Sequence, residues 1–181
     1  MKKLLVTSIL MSSAFHIEGS FAKDHAKESL KILGLCTAAT TLYGTLNGIG
    51  VGGLFPEFAE NFTIYKGCKE LLGGNGKRAG AAWGAFSSWW VGPFLSLIVI
   101  PAARYGQNPL KASELIKPGL MTLMGAGAIS WLNGGATYLH LKGGGPGTRA
   151  DIGQSINSTA YSMGAIGGLA CSAYLWLSRY R

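Results

Sequence analysis

Two asparagines stand in this sequence where a side chain must find a partner. Asn47 and Asn133 each lie inside a long uncharged stretch, in the matching tripeptides Leu46-Asn47-Gly48 and Leu132-Asn133-Gly134. An amide in such a setting has two uses. As an interhelical hydrogen bond it fixes packing, a contribution of roughly 0.6–2 kcal/mol. As one of a pair it can line a path for a small polar solute. The first is the commoner use of a membrane asparagine.

Other chemistry lacks its residues. His16, His25 and His140 share no motif, so no metal set is expected. The uncharged stretches hold no Asp, Glu, Lys or Arg to relay protons or couple to an ion. Ser and Thr are abundant but have no identifiable base. The glycine loops Gly73-Gly74-Asn75-Gly76-Lys77-Arg78 and Gly143-Gly144-Gly145-Pro146-Gly147-Thr148-Arg149 would offer backbone N–H groups ahead of a helix. Neither completes the phosphate-binding G-x-x-x-x-G-K-[ST] pattern and neither follows a strand. Cys36, Cys68 and Cys171 have no metal or redox spacing, although Cys36 near the start of the first stretch and Cys171 near the end of the fourth would come close to one face, within geometric reach of a disulfide. No enzyme and no cofactor are expected.

The elements that would position the asparagines follow from charge placement. Charged residues are absent from 32–56, 79–103, 118–141 and 152–178. About 20 helical residues cross a hydrocarbon core, so each gap can hold one span. The expected fold is all-α: an integral membrane four-helix bundle with spans at about 32–55, 80–103, 119–141 and 155–177, making 32–181 the membrane domain. Residues 23–31 form a charged juxtamembrane segment. Residues 1–22 read as a cleavable signal peptide, with Lys2 and Lys3, an apolar core from Leu4 to Phe15, and Ser20-Phe21-Ala22 before Lys23. That leader suits a bacterium, and the inner (cytoplasmic) membrane is the expected location. The positive-inside rule, set against a cleaved leader, points the other way on orientation.

The net charge of +8 is not read as a nucleic-acid signal. Lys77, Arg78, Arg104, Lys117, Lys142 and Arg149 border the gaps, where snorkelling side chains meet anionic lipid headgroups. The bilayer is therefore the first expected partner, and no nucleic acid is expected.

Small residues recur every four positions in each gap: Thr40, Gly44, Gly48, Gly52; Gly80, Gly84, Ser88, Gly92; Thr122, Ala126, Ser130, Gly134; Ala160, Gly164, Gly168, Ser172. Residues four apart share a helix face, and small ones let backbones approach closely. Glycine-rich packing and self-association, or docking into a larger membrane complex, are the expected result. Pro93 should kink the second span. The repeated Leu-Asn-Gly and glycine loops also allow two tandem helical hairpins, with a long insertion from Phe55 to Leu72 in the first. Tyr161-Ser-Met-Gly-Ala-Ile-Gly-Gly168 and Ala81-Ala-Trp-Gly-Ala-Phe-Ser87 resemble glycine-rich span segments of the mitochondrial import translocase family, which also has four helices. The segments come in a different order here, and no assignment is made on them. The expected function is a packing or assembly component. The alternative is a small-solute channel or carrier with Asn47 and Asn133 lining the path.

Overall fold

The computed structural model describes residues 2–105, 108–142 and 147–178, those before Lys23 only as part of a helix. The segment read as a leader, 1–22, is thus described, apart from Met1, only as helix, while the loop residues 143–146 and the tail from 179 lie outside the described residues. All regular structure among the described residues is helical: α1 (Lys2–Leu54), α2 (Pro56–Ala59), α3 (Thr63–Leu71), α4 (Gly76–Ser88), α5 (Val91–Arg104), a 3₁₀ turn (Ala112–Leu115), α6 (Ile116–Lys142) and α7 (Arg149–Ser178).

Each uncharged stretch is helical, but equal length does not make the four equal in hydrophobicity. Among the described residues, only Ala112–Lys142 is long and apolar enough by itself to cross a membrane. Gly76–Ser88 and Val91–Arg104 together would supply a second span, bent by 44°. The stretches in α1 and α7 are diluted by Thr37, Thr40, Thr41, Thr45 and Asn47, and by Ser155, Asn157, Ser158, Thr159 and Ser162. Freedom from charge, on which the four-span expectation rests, does not register that dilution. The bend falls at Trp89–Trp90, between α4 and α5. Pro93 lies four residues after Trp89 and has no N–H to bond back to it, so the helix opens there.

α1 packs lengthwise on α4 and α5, α6 pairs with α7, and α5 touches α7. Two apolar cores form, one at each end of the bundle. At one end Val51, Phe58, Ala59, Tyr65, Ala79, Trp83, Ile152 and Ile156 cluster. The segment expected to be an insertion builds this core: α2 and α3 wrap Phe58, Phe62 and Tyr65 around Trp83, with ring centroids 5.0–6.5 Å apart. At the other end Ile32, Cys36, Val99, Ala103, Ala112, Leu115 and Leu175 cluster, with Cys171 packed against them. Cys36 and Cys171 therefore meet in one core, as free thiols.

Glu28 clamps that second end. Its carboxylate accepts the Ala112 backbone N–H at 3.0 Å and pairs with Lys31, tying α1 to the turn that opens α6. The Lys31 ammonium and the Ala112 N–H hold its pKa below the ordinary carboxylate value. A group with a depressed folded pKa stabilises the fold above its unfolded pKa, and this is lost as pH falls through the folded value. Melting measured in detergent across the acid range should therefore show a Glu28→Gln variant less stable than wild type at neutral pH. The gap should close as the medium is acidified below the ordinary carboxylate pKa.

Candidate functional site

The centre of the molecule, between the two cores, is a seam of glycines. Gly73 and Gly74 take left-handed backbone angles (φ 69° and 78°) and turn the chain out of α3. Asn75 then caps α4, its Oδ1 accepting the Lys77 and Arg78 N–H groups at 3.1 Å. This start sets α4 antiparallel to α1, with glycine against glycine. A Cβ on Gly48 would stand 2.1 Å from the Gly80 carbonyl oxygen, and one on Gly80 would stand 2.0 Å from that of Gly48. Gly84 meets the Gly44 carbonyl in the same way at 2.0 Å, and Gly52 meets that of Gly76 at 2.8 Å. Each Cα hydrogen occupying such a place points at the opposite carbonyl, a contact worth about 0.5–1 kcal/mol. The Tyr65 hydroxyl closes one end of the seam by donating to the Gly52 carbonyl at 3.1 Å.

Five glycines of the first two small-residue rows, Gly44, Gly48, Gly52, Gly80 and Gly84, thus meet inside one chain. Gly168 packs against Leu95 of α5, whereas Gly164 has open space in place of its side chain. In α6 the row Ala126, Ser130, Gly134 forms the buried face, and Gly134 receives Ile156 of α7 rather than another glycine.

The two asparagines are not brought together. Asn47 Nδ2 donates to Asn157 Oδ1 over a long 3.4 Å. Asn133, exposed on α6, donates to Ser155 Oγ at 2.8 Å and Thr159 Oγ1 at 2.7 Å. Both reach α7, but Asn157 is two residues from Ser155 and from Thr159. Two residues turn a helix by about 200°, so the amides engage opposite flanks of α7. Asn47 alone of the pair borders a cavity, about 20 Å³ in size, together with Tyr43, Ser88, Asn157 and Tyr161. Asn157 was legible by the reasoning applied to Asn47, being an amide within an uncharged stretch; the repeated tripeptide drew attention to Asn133 instead.

The basic residues divide between the ends. Lys77, Arg78, Lys142 and Arg149 belong to the end with the two glycine loops, where Arg149 donates to the Leu54 carbonyl and pairs with Glu57 at 3.5 Å. Lys142 lies over the Tyr138 ring, 5.4 Å from its centroid. Lys117 is exposed at the other end. Arg104, expected to face headgroups, is instead buried and donates to the Leu110 carbonyl at 2.8 Å. Among the described residues no cluster of His, Cys, Asp and Glu has the makings of a metal site. No protein-family model, curated protein or solved structure matches the chain.

The seam and the open position make opposite demands on the same substitution. Gly48→Ala forces α1 and α4 apart and should cost about 1–3 kcal/mol or more. Gly164→Ala meets nothing and should be neutral or gain up to about 1 kcal/mol from helix propensity. Tryptophan-fluorescence melting of both variants in the same detergent checks the contrast.

Proposed function

We propose that the chain is a multi-pass membrane protein, a four-helix bundle acting as a packing or assembly component that associates with itself or with a larger membrane complex. The observation carrying this reading is its inverted distribution of side-chain size. Between the two end cores, glycine, alanine and serine line the helix contacts, while Phe94, Leu97, Met121, Met124, Leu132 and Leu139 are more than half exposed. A protein surrounded by water gains by burying such side chains. One surrounded by lipid gains nothing by that and packs through its small residues instead.

The hydroxyls that dilute α1 and α7 support the same reading. Thr37, Thr41 and Thr45 donate to the carbonyls four residues earlier at 2.7–2.9 Å, and Ser162 and Ser172 do likewise at 2.8–2.9 Å. A hydroxyl satisfied within its own helix needs no water. The spans proposed are therefore all four uncharged stretches, with the bacterial inner membrane as the location and anionic headgroups facing Lys77, Arg78, Lys142 and Arg149.

Self-association is proposed through α6. Only 17% of its most apolar window is buried within the chain, which leaves a broad face open to lipid or to a second copy. The small-solute reading keeps one observation in its favour, the polar cavity beside Asn47, although Asn133 takes no part in it.

Alkaline carbonate extraction separates membrane from water: the protein should stay in the pellet, and release into the supernatant would sink the membrane reading. Met124→Arg should impair integration by about 2.5–3.5 kcal/mol on a translocon scale. Photobleaching of singly labelled protein in liposomes should count more than one copy per particle; single steps at every protein density would rule out self-association.

A further inference from the structure

We propose that the cavity beside Asn47 is a binding site for one water molecule, held as a permanent part of the interior where α1, α4 and α7 meet.

Size and polarity both select this occupant. About 20 Å³ accommodates one water, for which roughly 10–15 Å³ suffices, and excludes any larger solute. The lining is uncharged and mixed, the amides of Asn47 and Asn157 and the hydroxyls of Tyr43, Ser88 and Tyr161 standing beside Trp83, Ala160 and glycine backbone. No carboxylate is among these residues, so a cation has no counter-charge.

Two polar atoms of lining residues are wholly buried without a hydrogen bond: Asn47 Oδ1 and the Tyr43 hydroxyl. Buried polar groups of native proteins are bonded to protein or to ordered water. The Ser130 hydroxyl beside Tyr43 is donated to the Gly127 carbonyl at 2.8 Å, so it can offer the phenol a lone pair but no proton. The Ser88 hydroxyl is donated to the Gly84 carbonyl at 2.6 Å and retains a lone pair for an incoming O–H. A water can donate to Asn47 Oδ1 and also complete the overlong Asn47–Asn157 bond as a bridge.

The seam explains why the space is here. Gly44, Gly48 and Gly84 border the cavity and bring no side chains to fill it. Close backbone approach on one side of α1 thus leaves a water-sized gap on the adjoining side. Nothing in this site depends on a bilayer, so it stands or falls separately from the membrane reading.

Water-edited solid-state NMR on the full chain, labelled with ¹⁵N and either sedimented from solution or reconstituted in lipid, tests it. Magnetisation from water should reach the side-chain amides of Asn47 and Asn157 about as fast as that of exposed Asn61. It should reach the backbone amides of Ala103 and Ile152, buried in the two end cores, far more slowly. Asn47→Leu removes the orphan carbonyl at nearly constant volume and should abolish the fast transfer at Asn157. Transfer to Asn47 and Asn157 as slow as to the core amides in wild type would overturn the proposal, whether or not the variant folds. So would fast transfer at Asn157 that survives Asn47→Leu.

Discussion

The contact of α1 with α4 through bare backbone is the constraint on which the rest of this structure depends. Glycine faces carbonyl in both directions along the seam, at distances that leave no room for a methyl group. Few side chains contribute to holding these helices together at mid-length. Their attraction comes from close van der Waals contact and from Cα–H groups directed at carbonyls, both of which fall off quickly with separation. Everything bulky must therefore go elsewhere, either outward or to the two ends.

Both ends are built from that displaced bulk. One is closed by α2 and α3, which bring aromatic rings around Trp83 and a tyrosine hydroxyl onto the last seam carbonyl. The other is closed by the 3₁₀ turn before α6, bound to Glu28 and backed by Arg104, whose guanidinium is folded into the interior. A thin glycine middle between two packed ends divides the work: the ends supply apolar burial, and the middle supplies proximity. The polar cavity lies where these two modes of packing fail to join.

Much of this was legible in the residues, and the exceptions have physical causes. Gaps in charge located the helices, since a helix interior tolerates few charges when both its faces are apolar. The four-residue recurrence located the inward faces, because side-chain size is visible in sequence even when partners are not. The features that stayed hidden depended on pairing across the chain. Asn47 meets Asn157 rather than Asn133, which only the placement of α7 decides. Phe55 to Leu72 reads only as an insertion in sequence, because the partner its rings pack against, Trp83, is decided by the fold. Arg104 reads as a surface anchor because a sequence does not show that a carbonyl six residues later folds back over it. Absence of charge was also asked to stand for hydrophobicity, and threonine and serine separate the two.

The seam's four-residue spacing has a bearing on alignment. Gly44, Gly48 and Gly52 form a row of equal notches, and Gly76, Gly80 and Gly84 form the same row running the other way. Sliding α1 past α4 by one notch, about 6 Å along the axis, again sets glycines opposite glycines. The middle of the molecule thus works like a ratchet with nearly equivalent teeth: it enforces nearness and is indifferent to which tooth engages. Alignment is fixed by contacts that cannot slide, namely Tyr65 on the Gly52 carbonyl at one end and Glu28 on the Ala112 N–H at the other. Two contacts made by side chains wholly outside the glycine rows thereby determine which residues of those rows face one another.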